Sequence, residues 1–589
     1  MYILGISAFY HDSSACIIRN SEILTAVQEE RFTRKKFDAS FPTNSILYCL
    51  KENNIKLEDI DAVVFYEKPF LKFERLIKTY IDFFPKGFQS FKVAMPIWSK
   101  EKLYQKKIIN DHLNEISKKK FDKNKIKFSE HHLSHAASAF FPSPYNQAAI
   151  IVMDGVGEFA TTTIARGDKN NIEILNEINF PDSLGLLYSA FTYFLGFKVN
   201  SDEYKVMGLA PYGNPSYSEI IKKYLIDIKE DGSFKLNQEY FSYATDLVMT
   251  SPKFENIFET KKRNSKDEML NIHKDIAASI QVVTEEIVYK ISKTAKKITN
   301  SDNLCLAGGV ALNCVANGKI YKNKIFNNIW IQPAAGDAGG SLGAALAYYY
   351  SKNKDRKINK FDSMKNSYLG PSFSKYEIEE QLKKNSEKIT YNFFYDDKEL
   401  YSNVVEEILK EYCIGWFQGK MEYGPRALGN RSIIADPRPS DMQSKINLKI
   451  KFREGFRPFA PMILENEVNK WFDFNHQSKY MLMVSNIKKN IKKNQDQNFS
   501  NSLKNINSII PATTHVDGSA RIQTINNTNG KIYNLLNEFY LKTNVPILVN
   551  TSFNLSDEPI VCTPGDAIRS FLKCNMETLV IDNFIIKKK

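Results

Sequence analysis

Gln147-Ala148-Ala149-Ile150-Ile151-Val152-Met153-Asp154-Gly155-Val156-Gly157-Glu158 is an apolar run that ends on a polar, glycine-bearing turn. It reads as a buried strand. A second strand follows over 159–165, then the turn Arg166-Gly167-Asp168-Lys169-Asn170, then a third strand over 172–179. The same succession opens the chain. A strand over 1–7 runs into Ala8-Phe9-Tyr10-His11-Asp12-Ser13-Ser14, and a hairpin over 15–18 and 22–28 turns at Arg19-Asn20-Ser21. A strand, a polar turn and a hairpin, met twice, are the layout of a duplicated α/β domain. Each copy would set its first turn against the phosphates of a nucleotide, so Asp154 and Gly155 are candidate nucleotide contacts.

Just before the second copy lies EHHLSHAASAF at 130–140, which holds three of the chain's eight histidines. The small residues read as the first turns of a helix, and on a helix His131 and His135 share a face. Two imidazoles on one face suit a metal completed by a carboxylate. Capping of the helix end by His132 and His135 is the alternative reading.

The chain has 589 residues, so more than one core is expected. A formal charge of +13 comes from lysines scattered in Lys/Asn/Ile-rich segments such as IKKNIKKN at 487–494. A nucleic-acid footprint would gather arginine and lysine on one face instead. The seven cysteines show no close pairing and read as reduced, buried residues of a cytoplasmic protein. The first residues lack a basic leader, and no run of 18 apolar residues occurs. Neither a signal peptide nor a membrane span is therefore expected.

Further along, 203–213 (EYKVMGLAPYG) reads as a loop lining a cleft, with Glu203 and Lys205 as its marked residues. A long helix is expected over 273–297, where Ile276, Ile280, Val283, Ile287 and Ile291 keep the helical period. LAGGVALN at 306–313 takes a strand through Gly308 and Gly309 into a helix bearing Asn313. Such a turn suits an adenylate's ribose and phosphates or is a tight packing turn. PAAGDAGGSLGAA at 333–345 starts a helix at Asp337, which is either its N-cap or the carboxylate that His131 and His135 need.

A lysine-rich stretch near 350–366 marks a domain boundary. Beyond it, helices are expected over 375–388 and 401–411, then a strand over 414–417, then EYGPRALGNRSI at 422–433. Arg426, Arg431, Arg438, Lys451, Arg453 and Arg457 crowd the next stretch, with Lys420, Asn430 and Ser432 nearby. Arginine is otherwise scarce here, so the concentration points to phosphate or carboxylate recognition. His515 and Arg521 read as substrate or phosphate contacts. Asn550 and Ser552 end a β run where a strand edge meets a ligand. The polar stretch 490–507 reads as a surface insertion.

Taken in order, the quoted stretches, with HDSSA at 11–15, EERF at 29–32, FRPFAP at 456–461 and THVDGSARIQ at 514–523, carry a resemblance over essentially the full length. The sequence resembles the O-carbamoyltransferases of the nodulation and antibiotic-tailoring type. Two departures stand out. Asp557 and the Thr543-Asn544 pair occupy positions where the family pattern has glycine.

The resemblance implies an α/β fold. Residues 1–355 would form a duplicated actin/sugar-kinase-like domain, similar to the tRNA-threonylcarbamoylating metalloprotein. Residues 366–589 would form an open-sheet α/β domain like threonylcarbamoyl-adenylate synthase. It also implies a reaction in two steps. Carbamoyl phosphate and ATP, with Mg(II), would give carbamoyl adenylate in the second domain. The first domain would then carbamoylate a hydroxyl of a small molecule or sugar and release AMP. Fe(II) or Mn(II) is implied on His131, His135 and Asp337, with His11 near the acceptor hydroxyl as a base and Asp12 beside it. A homo-oligomer is compatible with this reading, whereas nucleic-acid and membrane partners are not expected. Threonylcarbamoyl transfer to tRNA is the alternative within this chemistry, and an actin-fold kinase, releasing ADP, is the alternative outside it.

Overall fold

The computed structural model describes residues 1–100, 104–359, 362–491 and 508–589. They divide into two compact units, Met1–Glu29 with Phe37–Ser363 and Glu30–Lys36 with Met364–Lys589.

In the first unit, strands β1 (Tyr2–Ser7), β2 (Ser14–Arg19), β3 (Glu22–Gln28), β4 (Ala62–Phe65) and β5 (Ile126–Phe128) form a sheet in the order β3-β2-β1-β4-β5. A second sheet uses β6 (Gln147–Met153), β7 (Ala160–Asp168) and β8 (Asn171–Asn179). Past a two-stranded sheet of β9 (Ile226–Ile228) and β10 (Phe234–Leu236), it is completed by β11 (Asn303–Ala307) and β12 (Asn328–Ile331). Its order, β8-β7-β6-β11-β12, repeats the first. In both copies three antiparallel strands come first, and two parallel strands are added beside the opening strand. This is the duplicated actin/sugar-kinase-like arrangement. The central parallel strands β4 and β11 are buried on both faces, which is why they read as continuous apolar runs.

Three helices fix the functional side chains of this unit: α1 (His131–Phe140), α2 (Asn271–Thr299) and α3 (Ala338–Lys352). Helix α1 packs along α3 because both are built of small residues. A Cβ at Gly343 would lie 1.7 Å from the Ser134 carbonyl oxygen, so the two backbones meet at a distance only glycine permits. Residues 203–213 are not the loop expected. Glu203–Leu209 is a helix and Ala210–Tyr212 a 3₁₀ turn, because Val206, Met207 and Leu209 are buried at helical spacing.

The second unit carries nine strands: β13 (Ile389–Phe393), β14 (Ile414–Phe417), β15 (Arg431–Ala435), β16 (Ala460–Leu464), β17 (Met483–Asn486), β18 (Ser519–Ile525), β19 (Ile547–Ser552), β20 (Thr578–Ile581) and β21 (Phe584–Lys588). They form one open mixed sheet in the order β13-β21-β20-β14-β15-β19-β16-β18-β17. Its core gathers Phe417, Ile433, Val549, Phe553, Phe571 and Leu579. Asn544 (φ 58°) and Asp557 (φ 61°), at the two departures read from the sequence, take the left-handed conformation, which asparagine and aspartate tolerate best of the residues other than glycine.

Residues Glu30–Lys36 belong to this second unit although they fall in the first tenth of the sequence. Arg31 Nη2 donates to the Gly424 carbonyl at 2.8 Å, and Arg34 donates to those of Ile560 and Pro559 at 2.7 and 2.6 Å. All seven cysteines are free and buried. No helix among the described residues is long and apolar enough to cross a membrane. The stretch 490–507 lies almost wholly outside the described residues.

Candidate functional site

Helix α1 begins where Glu158, from the turn after β6, accepts the His131 backbone N–H on both carboxylate oxygens at 3.0 Å. A carboxylate at this end stabilises the exposed N–H groups of the first turn. One turn apart on α1, His131 and His135 bring their Nε2 atoms to 3.1 Å. Asp154 leaves the end of β6 with Oδ2 3.2 Å from His131 Nε2. Asp337, in the turn before α3, has Oδ1 3.8 Å from His131 Nε2 and 3.7 Å from His135 Nε2. The four ligand-type atoms lie within 4.8 Å of one another.

The sequence singled out His131, His135 and Asp337 together and set Asp154 with the nucleotide contacts. The structure places Asp154 in the same cluster. Its second oxygen, Oδ1, accepts the Gly309 N–H at 3.0 Å and so fixes the carboxylate against the LAGGVALN turn. Gly308 is left-handed (φ 86°), and a Cβ there would sit 2.2 Å from the Met153 carbonyl oxygen. By contrast, a Cβ on Gly155 or Gly336, the neighbours of Asp154 and Asp337, would meet nothing within 4 Å. Space therefore lies open over both carboxylate-bearing turns.

The cluster is electrostatically self-balancing. Burial alone would favour a neutral His131, but the Asp154 hydrogen bond and the Asp337 carboxylate outweigh it and raise its pKa to about 9. Burial would raise the pKa of Asp154, but the His131 hydrogen bond and the nearby imidazoles hold it below the carboxylate range. Asp337 is lowered likewise, against its burial, by its bond to His135 and the charge of His131. Two imidazole nitrogens and two carboxylate oxygens form a donor set that fits a divalent first-row cation. His132 stands apart from this face: its Nδ1 meets Thr163 Oγ1 at 2.7 Å, and burial beside two other imidazoles lowers its pKa.

His11 packs on Phe37 (4.9 Å between ring centroids), and its Nε2 donates to the Asn200 carbonyl at 2.7 Å. That bond leaves Nδ1 as the lone-pair nitrogen of the neutral ring. Burial opposes charge on His11, but Asp12, Asp337 and the Asn200 carbonyl prevail and raise its pKa. Asp12 is left-handed (φ 50°), and its Oδ1 accepts from Gln28 at 2.7 Å.

Other residues singled out from the sequence are engaged inside the fold. Asn313 caps the helix that follows it and exchanges two hydrogen bonds with Gln281. Glu203 accepts from Ser189 Oγ and the Asn200 N–H at 2.8 Å each, and Lys205 pairs with Asp202 at 3.2 Å. Glu203 is thus tied to the preceding helix and to the turn before its own, and Lys205 to a residue one turn back.

In the second unit, the loop 422–431 winds around one buried carboxylate. Glu422 Oε1 accepts the N–H groups of Leu428, Asn430 and Arg431 at 2.7, 2.8 and 3.2 Å. Arg431 is fully buried against the Phe417 ring, and its guanidinium donates to the carbonyls of Gln418, Asn430, Pro371 and Gly419. It therefore holds the loop together, whereas its place in an arginine-rich run had suggested contact with substrate. Arg438 is neutralised by bidentate pairing with Asp436. Ser432 Oγ accepts the Gly429 N–H, and Asn550 donates to Ala427 and Gln523. These two are also interior contacts.

Lys451 behaves differently. Its buried Nζ donates to the Ser552 carbonyl (2.8 Å), Ser552 Oγ (3.1 Å) and Asn554 Oδ1 (2.9 Å), with no carboxylate among these partners. Burial, then Arg453, Arg457 and Lys36, push its pKa well below the usual lysine value. Arg453 is held by Asn447 Oδ1 at 2.8 Å, and Arg457 meets Glu454 at 3.3 Å. Arg426 and Lys420 are half-buried in the 422–431 loop and just before it, and Arg521 lies on β18. Lys36 and Asn554 escaped the sequence reading as individual site residues. Asn554 lies two residues beyond Ser552 at the end of the same β run, but nothing local marks Lys36, which joins the set only through the fold.

Comparison with known proteins places the chain in a family. Residues 2–346 match the carbamoyltransferase N-terminus and residues 405–588 the carbamoyltransferase C-terminus. The chain belongs to the carbamoyltransferase family and is a transferase by that membership. Among its relatives is an uncharacterized protein of Synechocystis, 52% identical over 100% of this chain and 97% of the relative. The nodulation protein NolNO of Sinorhizobium fredii is 35% identical over 99% of this chain and 80% of its own length. An uncharacterized protein of Methanocaldococcus jannaschii is 33% identical over 100% of this chain and 99% of the relative. A solved structure of HypF with phosphate and nucleotide is 13% identical with a TM-score of 0.31 over 60% of this chain and 47% of its own, a likeness too slight to carry an argument.

Proposed function

We propose that the chain is an ATP-dependent O-carbamoyltransferase that runs two half-reactions, one in each unit. The observation that carries this reading is the pairing of a balanced imidazole–carboxylate cluster in one unit with a cationic set around Lys451 in the other. Family membership supplies the carbamoyl group, and the two sites suit the two chemistries it needs.

In the second unit, Lys451, Arg453, Arg457, Arg426 and Lys36 would hold the phosphates of carbamoyl phosphate and ATP. Water attacks carbamoyl phosphate and displaces inorganic phosphate, leaving carbamate, whose oxygen attacks the α-phosphorus and expels pyrophosphate to give carbamoyl adenylate. Cations fixed beforehand lower the cost of gathering so much negative charge. Ser552 and Asn554 keep the Lys451 ammonium in place through the cycle.

In the first unit, the acceptor is a hydroxyl of a small molecule or sugar. Its oxygen attacks the carbamoyl carbon, the mixed-anhydride C–O bond breaks and AMP leaves. His11 takes the hydroxyl proton on Nδ1, while its Nε2–H stays on the Asn200 carbonyl. His131, His135, Asp154 and Asp337 would hold a divalent metal, Fe(II) or Mn(II), which when bound anchors the adenylate phosphate and polarises the carbonyl. Open space over Gly155 and Gly336 leaves room for the phosphate beside the carboxylates.

The test is to incubate the protein with ATP and carbamoyl phosphate and assay pyrophosphate and AMP. Wild type is expected to release pyrophosphate, and to release AMP as the carbamoyl adenylate is hydrolysed by water or passed to an added hydroxyl acceptor. Arg426→Ala and Lys451→Ala should lose pyrophosphate release, and His131→Ala should keep it while losing transfer. Release of ADP in place of AMP and pyrophosphate would sink the proposal.

A further inference from the structure

A metal-ligating imidazole is normally held through its other ring nitrogen, which donates to a carboxylate, carbonyl or water. In the first unit, His131 turns Nε2 toward the cluster, and its buried Nδ1 has no hydrogen-bond partner. The carboxylate on that side is Glu67, at the exit of β4, with Oε2 3.9 Å from Nδ1. Glu67 is 1% exposed. Glu158, also near, is engaged by the backbone N–H of His131 and that of Lys68.

Burying a carboxylate costs free energy unless a charge or hydrogen bonds compensate. Glu67 has its compensation: Lys72, one turn into the next helix, reaches Oε2 with Nζ at 2.7 Å, and both side chains are buried. Lys72 is fixed in turn by the ring of Tyr10, 4.7 Å from Nζ. The adjacent Tyr66 is fully buried and points its hydroxyl at Asp337 Oδ2, 3.5 Å away. One turn of chain thus stands behind both a histidine and a carboxylate of the cluster.

We propose that Glu67 is a positioning residue for the metal cluster. With the metal bound, its carboxylate closes from 3.9 Å onto the Nδ1–H of His131 and accepts it, which sets the tautomer in which the Nε2 lone pair faces the cation and raises that nitrogen's basicity. Lys72 holds the Glu67 carboxylate at the required place and balances its charge. The inference rests on the reading of His131, His135, Asp154 and Asp337 as a metal site.

The probe is Mn(II), titrated into metal-stripped full-length protein and followed by electron paramagnetic resonance. Wild type should bind one equivalent. Glu67→Gln, which keeps the shape and removes the charge, should raise the Mn(II) Kd by about 10- to 100-fold. Glu67→Asp, which keeps the charge for Lys72 and shortens the reach, should fall between the two. The spin-echo modulation from the remote imidazole nitrogen should shift in both variants, a signal that a merely structural role would leave unmoved. Glu67→Asp is the fallback should Glu67→Gln not fold. A wild-type Kd and an unshifted modulation in whichever variant folds overturn the proposal. Failure of the wild-type protein to bind Mn(II) overturns the metal reading itself, so the two failures are distinguishable.

Discussion

The cluster around His131 and the cluster around Lys451 are both polar and opposite in design; the first is buried, and the second is buried at Lys451 and half-exposed at Arg453, Arg457 and Lys36. Around His131, two bases and two acids meet within a few ångströms, so each charge is answered inside the site, and the His131 and Asp154 pKa values move apart in the stabilising sense. Around Lys451, like charges gather: Arg453, Arg457 and Lys36 all lower its pKa, and the oxygens it meets come from neutral groups. The first arrangement suits a cation that replaces a proton among its ligands. The second suits an anion. On the proposed function, this difference in charge balance matches a cation at the first site and an anion at the second.

The largest effects should come from breaking one cluster while leaving the other intact. His131→Ala should abolish both Mn(II) binding and carbamoyl transfer. Pyrophosphate release driven by carbamoyl phosphate should continue. Lys451→Ala should do the reverse, cutting pyrophosphate release by roughly 100- to 1,000-fold, in line with loss of a preorganised charge donor, and leaving the Mn(II) stoichiometry unchanged.

Next in size come changes that test whether a polar residue builds its site or serves it. Arg431→Lys cannot reproduce four carbonyl contacts and should cost roughly 3 kcal/mol of stability, read as a fall in urea midpoint. Gly343→Val drives a side chain into the Ser134 carbonyl and should cost about 1–3 kcal/mol if the helices can part. Because α3 carries Asp337 just ahead of it and α1 carries both histidines, that variant should also weaken Mn(II) binding.

The smallest effect sharpens the contrast through pH. A lysine whose folded pKa lies below its unfolded value of 10.5 penalises folding while it is charged. The Lys451 penalty is therefore full below the depressed pKa and is relieved as pH rises from there toward 10.5. Phosphate binding has the opposite sign, since it needs the ammonium. Inorganic phosphate should raise the melting temperature at pH values where Lys451 is charged and lose that effect as pH climbs through the depressed Lys451 pKa. A phosphate effect that persists unchanged to pH 10.5 would place the anion away from Lys451.

Much of the framework is legible because it is encoded locally. The run 147–153 and the hairpin after it form β6, β7 and β8, and the same pattern at the N-terminus forms β1, β2 and β3. The helical period over 273–297 appears as Asn271–Thr299, and the spacing of His131 and His135 places them on one helix face. In these cases the side-chain period itself specifies the element. Where apolar spacing was masked by charged neighbours, as in 203–209, a helix read as a loop.

What the chain determined by itself was the duplication, the strand and helix patterns and the pool of chemically able residues. Tertiary structure decided which of those residues stand together. Asp154 joins His131 across 23 positions of sequence, and Asp337 arrives from another helix turn because glycine lets α1 and α3 close on each other. Arg431 and Arg426 look alike in one motif, yet the fold closes four carbonyls around Arg431. Glu67 and Lys36 carry no local signature at all. Secondary structure follows from interactions a few residues apart, whereas a site is a set of distances between elements, fixed only when the sheets and helices pack.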